Sequence, residues 1–225
     1  MRWNLLPALL AYLVPLVAYA ADSPSKDEER LLQVIGKMGG EGSIDDKAEG
    51  KARVVARFDK LTDGQLASLK GASSLLAIEV ADAGKLTDRS TEFLRTLSHL
   101  QRLSLNKPAI TDRGLTAFKS LTELRTLYLG GAKIGDNGLS NLKPLTKLEE
   151  LDLYDTRVTD KSLPVIEGFE NLTSLNLAGT KVTDAGTKHL REMKHLKELN
   201  VTMTEVTMAA IKSIEDAIPG IRVRR

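Results

Sequence analysis

The sequence predicts an α/β solenoid, in which short parallel strands alternate with short helices along one open array. Leucines recur at a constant step of 24 residues, and a period between about 20 and 50 residues is the signature of a repeat architecture. Each of these leucines opens the same phrase, L-x-x-L-x-L, in which apolar and polar residues alternate as in a half-buried strand. The phrases open at Leu100, Leu124, Leu148, Leu172 and Leu196.

The N-terminal residues have the pattern of a secretory signal peptide. Arg2 supplies a positive charge, residues 5–17 form an apolar run, and Ala18-Tyr19-Ala20 forms an A-x-A cleavage site. The run is shorter than the roughly 20 residues that span a bilayer, so we expect cleavage, with a retained anchor as the alternative. The predicted organisation is a signal peptide at 1–20, a linker and N-terminal helical cap at 21–52, and a repeat domain with its C-terminal cap at 53–225.

A helix is expected inside the predicted N-terminal cap. Ser25 and Glu28 form a capping box, in which each side chain can bond the other residue's backbone N–H. The glycine pair at 39–40 is expected to end the helix. The apolar residues that follow the capping box lie on one helical face, at Leu31, Val34, Ile35 and Met38.

The repeats themselves predict both the sheet and the helices. Constant spacing predicts that the strands stack in parallel, and each Thr-Asp pair predicts a helix that starts with a threonine cap and an acidic first turn. Glycines three residues after the threonine, at Gly114, Gly138 and Gly186, are expected to allow close approach between neighbouring helices. The seven strand phrases lie near Val54, Ile78, Leu103, Leu127, Leu151, Leu175 and Leu199.

A short charged strand is expected at the end of the array. Ile218-Pro219-Gly220 interrupts the last helix pattern, and an alternating segment follows it. Its arginines, Arg222, Arg224 and Arg225, would discourage pairing with the edge of another sheet.

The composition is that of a soluble globular protein and narrows the classes of function. Hydrophobic residues make up 42% of the chain and charged residues 28%. The 32 basic and 30 acidic residues leave a net charge of +2, whereas a dedicated nucleic-acid binder usually carries a basic stripe. The absence of cysteine excludes disulfides, thiolate metal sites and a cysteine nucleophile.

The repeat unit L-x-x-L-x-L-x-x-T-x-V-T-D-x-G-L-x-x-L resembles the leucine-rich repeat superfamily over roughly residues 50–225. It is similar to the ribonuclease-inhibitor-like and cysteine-containing-like subtypes, and to the short leucine-rich repeat proteins that many bacteria export. The resemblance implies a right-handed α/β horseshoe arc of about seven repeats, with a parallel sheet on the concave face and short helices on the convex face. It also implies that Thr156, Thr180 and Thr204 bond exposed backbone between repeats, where the family often carries Asn or Cys.

The polar positions that flank the strand leucines should line the concave face of such an arc. Arginines gather in its N-terminal half, at Arg53, Arg57 and Arg102, while carboxylates and tyrosines gather in its C-terminal half. We predict a docking site there, with tyrosine anchors, carboxylates for a basic partner, and asparagines as adaptable hydrogen bonders. A solvated strand face would look similar, so the pattern alone leaves both interpretations open. The candidate binding residues are Tyr128, Glu150, Asp152, Tyr154, Asn176, Glu198 and Asn200.

No motif predicts catalysis, a metal ion or a cofactor. His99 and His195 lie 96 residues apart, which is four repeat lengths, so their repeat position explains them. We expect an exported, periplasmic or secreted, monomeric scaffold that binds a macromolecule, a protein first and an envelope glycan second. No nucleic acid is expected as a partner, and no stable membrane span after signal cleavage. The alternatives are a substrate adaptor of a ubiquitin-ligase-like complex, and a hydrolase that uses Glu150 and Asp152.

Overall fold

A computed structural model describes residues 23–48 and 50–225 of the chain. The predicted signal peptide at 1–20 lies outside the described residues. Within them, the strands form one open sheet whose spatial order follows the sequence order. The strands are β1 Glu41–Ile44, β2 Val54–Lys60, β3 Leu75–Asp82, β4 Arg102–Leu105, β5 Thr126–Tyr128, β6 Glu150–Asp152, β7 Ser174–Asn176, β8 Glu198–Asn200 and β9 Arg222–Arg224.

The sheet is parallel from β2 to β9, which confirms the predicted fold class. Equivalent positions of successive phrases pair in register, as where Leu127 of β5 lies beside Leu151 of β6 and Leu151 beside Leu175 of β7. This register keeps every strand leucine on the buried side of the sheet. The leucines stack into one continuous core along the array, where their side chains are almost completely inaccessible to solvent.

The first strand was not predicted, and it runs antiparallel to β2. Its sequence, Glu-Gly-Ser-Ile, has few of the β-branched and aromatic residues that mark strands. The strand forms because it supplies hydrogen-bonding partners to the open edge of β2. Gly42 leaves room for Leu32 of the first helix, because a Cβ on this glycine would lie 2.6 Å from Cδ2 of that leucine.

Short helices pack behind the sheet, as the Thr-Asp pattern predicts. At the start of five helical segments, a threonine hydroxyl accepts a hydrogen bond from a backbone N–H. These threonines are Thr62, Thr87, Thr159, Thr183 and Thr207. The α-helices are α1 Lys26–Lys37, α2 Asp63–Ala67, α3 Asp88–Leu94, α4 Asp136–Leu139, α5 Leu163–Glu167, α6 Thr187–Leu190 and α7 Met208–Ala217. Segments of 3-10 helix are Gly114–Ser120, Ser140–Leu142, Asp160–Ser162 and Asp184–Gly186.

The first helix confirms the predicted capping box and covers the N-terminal end of the core. The Ser25 backbone N–H donates to Glu28 Oε2 over 2.7 Å, and the Glu28 N–H donates to Ser25 Oγ over 3.3 Å. Leu31 and Ile35 are buried in the same core as the strand leucines. Gly39, with a φ of 80°, follows the helix and turns the chain toward β1.

The aspartates of the Thr-Asp pairs have a role that the helix-terminus argument does not describe. In five repeats, the carboxylate of the aspartate at this position accepts two hydrogen bonds from the threonine of the next repeat, one from its backbone N–H and one from its hydroxyl, at 2.6 to 2.9 Å. Asp112 differs, because glycine replaces the threonine in the repeat that follows it. Charge-assisted bonds of this kind are stronger than neutral ones, so they tie successive repeats together. The pairs are Asp63 with Thr87, Asp88 with Thr111, Asp136 with Thr159, Asp160 with Thr183 and Asp184 with Thr207.

These inter-repeat hydrogen bonds, which we call the aspartate ladder, explain the close approach predicted at the repeat glycines. A Cβ on Gly114, Gly138 or Gly186 would overlap the aspartate carboxylate of the preceding repeat. Two of these carboxylates, those of Asp88 and Asp160, belong to the neighbouring helical segment, so the glycine leaves room for an acidic side chain of that segment. Ser162 takes the glycine position in its own repeat, and its hydroxyl donates to Asp136 over 2.5 Å.

The threonines predicted to bond between repeats bond within their own repeat instead. The hydroxyls of Thr156, Thr180 and Thr204 each donate to the carbonyl oxygen three residues earlier, over 2.6 to 2.7 Å. Because a hydroxyl has one proton to donate, the bond to this local carbonyl leaves none for the backbone of the next repeat. These contacts fix the turn that follows each strand.

Candidate functional site

The parallel register places polar side chains of successive strands in two rows across the concave face. In what we call the first row, each residue is the direct neighbour of the next. It consists of Tyr128, Asp152, Asn176, Asn200 and Arg224. The second row lies two residues earlier on each strand and consists of Thr126, Glu150, Ser174, Glu198 and Arg222.

These rows line a shallow depression of about 280 Å³ that extends from Tyr128 to Arg224. Two of the predicted binding residues lie outside its lining. Glu150 lies beside it and contacts Tyr128, and Tyr154 stands at the end of β6 with 40% of its surface exposed. The predicted residues that line the depression are Tyr128, Asp152, Asn176, Glu198 and Asn200.

Tyr128 and Glu150 form a hydrogen bond between neighbouring strands. The tyrosine hydroxyl donates to Oε2 of the glutamate. Burial raises the pKa of Tyr128 above its ordinary value, and the Glu150 hydrogen bond and the charges of Glu150 and Asp152 raise it further. The phenol therefore stays protonated, and its hydroxyl remains a hydrogen-bond donor to Glu150 at one end of the depression.

Local hydrogen bonds fix the other side chains of the first row. Asp152 Oδ1 accepts the Tyr154 backbone N–H over 2.7 Å, and its Oδ2 accepts the Asn176 amide over 3.1 Å. Asn200 Oδ1 accepts both the backbone N–H of Thr202, over 3.0 Å, and its hydroxyl, over 2.6 Å. The Asn200 amide nitrogen has no hydrogen-bonding partner among the described residues, so it is available as a donor on the concave face.

Two arginines complete the depression, and the sequence-based site did not include them. Arg222 and Arg224 were predicted only as charges that protect a sheet edge, yet they pair with Glu198 and Asn200 across β8 and β9. Arg222 forms an ion pair with Glu198 at 2.6 Å. Counting one further repeat of 24 residues from Glu198 and Asn200 would have found both. The C-terminal half of the face is therefore of mixed charge, rather than purely acidic.

The arginines of the N-terminal half are paired with acids, so that half is not a free basic patch. Arg57 pairs with Glu79 at 2.9 Å, on the floor of a second depression of about 430 Å³. Arg102 pairs with Asp45 at 3.2 Å. The predicted polarity of the face is largely neutralised at this end.

Arg53 forms the most buried of these pairs. Its Nε and Nη2 atoms donate to the two carboxylate oxygens of Glu28, over 3.0 and 3.1 Å. The pKa of Glu28 is lowered to about 2, chiefly by the hydrogen bonds from the Arg53 guanidinium and also by the bonds from Ser25 at the helix start, against the opposing effect of burial. This pair joins the covering helix α1 to the first parallel strand.

The described part of the chain contains no group of three or more His, Asp or Glu side chains that could hold a metal ion. His189 contacts Glu167 over 2.6 Å from its Nδ1 atom, which accounts for its position on α6. None of the described helices is long and apolar enough to cross a membrane.

Comparison with known sequences gives a family match in the middle of the array. A family model described as Leucine Rich repeat matches residues 120–143 and 170–190. A search of curated protein sequences finds no significant match.

Several solved structures have a similar fold. Internalin C2 of Listeria monocytogenes is 19% identical, with a TM-score of 0.54, over 75% of this chain and 79% of that one. The LRR protein LIC12759 of Leptospira interrogans is 19% identical, with a TM-score of 0.52, over 72% of this chain and 39% of that one. The internalin inlF of Listeria monocytogenes is 26% identical, with a TM-score of 0.49, over 62% of this chain and 38% of that one.

The matched regions span about two fifths of the length of LIC12759 and inlF. At 19% identity, the likeness to internalin C2 and LIC12759 concerns the fold alone. The repeated phrases and the open parallel sheet show a leucine-rich repeat fold, and the chain is similar to the Leucine Rich repeat family at residues 120–143 and 170–190.

Proposed function

We propose that the protein is a non-catalytic scaffold that binds a macromolecular partner, a protein in the first instance, through the concave face of its sheet. The observation that carries this proposal is the depression itself. Side chains from five successive strands, β5 to β9, converge on it. Because neighbouring repeats hold each strand in register, the surface is rigid before any partner binds, which lowers the entropic cost of association.

The size and lining of the depression support a protein segment as its occupant. At about 280 Å³ and open to solvent, it falls at or below the lower end of the roughly 300 to 1,000 Å³ that small-molecule sites occupy. Tyr128 offers a rigid ring with a polar end, which is the kind of residue that dominates protein interfaces. The asparagines of the first row can donate to the backbone carbonyls of a partner.

The contacts of the two carboxylates favour a binding role over the hydrolase alternative. Glu150 accepts the Tyr128 hydroxyl through Oε2, and Asp152 accepts the Tyr154 N–H and the Asn176 amide. These bonds position neighbouring groups of the face, and each carboxylate keeps acceptor sites for the donors of a partner.

We also propose that the protein is exported, to the periplasm or beyond the cell. This rests on the charge, apolar run and A-x-A site of residues 1–20. Mass spectrometry of the protein recovered from its native cells tests this proposal. We expect a mature N-terminus at residue 21 or 22, and an intact Met1 or Arg2 would contradict it.

Affinity purification from an envelope extract tests the binding face. The triple variant Tyr128→Ala, Asp152→Ala, Tyr154→Ala should lose the partner that the wild type recovers. Lys188→Ala on helix α6, at an exposed position on the convex side, is the matched control and should recover it. Far-ultraviolet circular dichroism would check that all three proteins are folded. Equal recovery by the triple variant would contradict binding through this face.

A further inference from the structure

The two ends of the first row carry opposite charges. Asp152 lies on β6 and Arg224 on β9, with Asn176 and Asn200 between them. Neither Asp152 nor Arg224 is part of an ion pair among the described residues. All four line the same depression. The row therefore presents an unneutralised acid and an unneutralised base, with neutral hydrogen-bonding groups between the two.

The second row strengthens this arrangement. Glu150 adds a negative charge beside Asp152, and it too has no ion-pair partner within the described part of the chain. At the other end, Arg222 neutralises Glu198, which leaves the charge of Arg224 in excess. The negative end of the depression therefore combines the charges of Asp152 and Glu150, whereas the positive end rests on Arg224.

The distance between the charges sets the size of the group that can bridge them. Neighbouring strands lie about 4.8 Å apart, so three steps from β6 to β9 span about 14 Å. This exceeds the Debye length of about 8 Å at physiological salt, so each charge acts as a separate subsite. A single amino acid is too short to reach both. An extended peptide advances about 3.3 Å per residue, and about four residues cover the span.

We infer that the depression binds an extended peptide segment that lies across β6 to β9 and carries a basic and an acidic side chain about four residues apart. The basic side chain pairs with Asp152 and the acidic one with Arg224, while the asparagine amides bond the peptide backbone between them. The inference rests on the proposed binding function and adds the charge pattern of the partner. A purely basic partner, which the sequence alone favours, would meet repulsion at Arg224.

Selection from a random dodecapeptide library displayed on phage tests the inference. The wild-type protein and two variants serve as targets in parallel. Ser174→Trp fills the centre of the depression, at a strand position where an aromatic side chain is well tolerated. Arg224→Glu reverses the charge at one end. We expect the wild type to enrich peptides with a basic and an acidic residue about four positions apart, and Ser174→Trp not to enrich them. Arg224→Glu should enrich peptides that are basic at both positions.

Fluorescence anisotropy with one enriched peptide then gives the magnitudes. Arg224→Glu should weaken binding about tenfold, and replacing the acidic residue of the peptide by lysine should restore it. Arg225→Glu is the matched control, because Arg225 is exposed and lies outside the lining of the depression. We expect it to change the affinity by less than about twofold, as a rim charge does.

The outcomes separate this inference from the proposed function. The wild type could enrich peptides that Ser174→Trp does not enrich, but without a basic and an acidic residue about four positions apart. This result would overturn the inference and leave the proposed binding function standing. Peptides enriched equally on Ser174→Trp, or no enrichment at all, would contradict both. Equal weakening by Arg224→Glu and Arg225→Glu would show a general charge effect, and would also overturn the inference.

Discussion

The Asp112 carboxylate accepts one hydrogen bond from the next repeat, from the backbone N–H of Gly135 at 2.6 Å. The corresponding aspartates of the other repeats each accept a second bond, from a threonine hydroxyl. Gly135 occupies the position that threonine has in those repeats, so the Asp112 carboxylate lacks the hydrogen bond that a threonine hydroxyl would donate. Its φ of −139° and ψ of −160° are extended, as at the threonine positions.

We predict that Gly135→Thr stabilises the protein. A Cβ at this position would lie 3.5 Å or more from its nearest neighbours, in ordinary contact. The new hydroxyl can bond the free side of the Asp112 carboxylate, and the loss of a glycine restricts the unfolded chain. Together we expect an increase of about 1 to 2 kcal/mol in the free energy of unfolding, measured by urea denaturation.

Gly138→Ala is a matched control, for which we expect a decrease in the free energy of unfolding. Helix propensity alone would make this change stabilising by about 1 kcal/mol. The new Cβ would, however, overlap the Asp112 carboxylate and displace it from Gly135. We expect a net loss of about 1 to 2 kcal/mol. A gain in stability would show that the ladder does not constrain this glycine.

The sequence predicts those features that repeat, because a period makes each position a copy of the next. The strands, the threonine caps and the buried leucines follow in this way. The aspartate ladder was missed because its bonds join residues of different repeats, and the sequence was interpreted one repeat at a time. Arg222 and Arg224 were missed for the same reason.

The ion pairs of the N-terminal arginines could not be predicted for a different reason. Arg53 and Arg102 are paired with Glu28 and Asp45, which lie before the repeats and follow no period. The chain brings Asp45 to Arg102 across 57 residues of sequence. Only the folding of the N-terminal segment over β2 places these acids beside the concave face, and residue spacing contains no information about it.

We predict that the Glu28–Arg53 pair makes stability depend on pH in the acid range. The pKa of Glu28 is about 2 in the folded protein and 4.5 ordinarily. The folded state therefore favours the ionised form. Its contribution is complete above pH 4.5 and is lost as the pH falls toward 2. In thermal denaturation at a series of pH values, Glu28→Gln should be less stable than the wild type near neutrality and nearly equal to it near pH 2.

Glu79→Gln is the control for this prediction. Glu79 pairs with Arg57 at a similar distance, but both side chains are more than a third exposed. An exposed pair contributes about 0 to 1 kcal/mol, so this variant should follow the wild type closely at every pH. A constant difference between Glu28→Gln and the wild type down to pH 2 would contradict the assignment to this carboxylate.

We predict that Tyr128 ionises at a higher pH than an ordinary tyrosine, and that Glu150 contributes to this rise in pKa. The difference in tyrosinate absorbance between the wild type and Tyr128→Phe isolates this residue during an alkaline titration. Glu150→Gln should lower the pKa of Tyr128, because it removes the carboxylate acceptor and its charge. The pKa should nevertheless remain above the ordinary value, since burial is the largest cause of the shift. An unchanged pKa in Glu150→Gln would show that the hydrogen bond does not form in solution.

The turn after each of the strands β4 to β8 contains a residue in the left-handed conformation, which leads to a prediction at Met203. Its φ is 57°, and its side chain is 75% exposed. The residues 24 and 48 positions earlier, Gly179 and Asp155, have φ values of 70° and 52°. A non-glycine residue pays about 1 to 2 kcal/mol in this conformation, and an exposed methionine recovers little by burial. Met203→Gly should therefore raise the free energy of unfolding by about 0.5 kcal/mol, after the entropy of glycine is subtracted, and the urea midpoint should rise with it.

Gly131→Ala tests the same cost of a side chain in the left-handed conformation, and here we expect a loss of stability. Gly131 has a φ of 74°, and a Cβ there would lie 2.8 Å from Cγ of Lys107, which is itself left-handed with a φ of 53°. A side chain at one turn thus requires a glycine at the next, and the substitution should cost about 1 to 3 kcal/mol. The two variants should move the urea midpoint in opposite directions. A loss of stability in Met203→Gly would instead show that the methionine side chain makes contacts that outweigh the strain of its backbone.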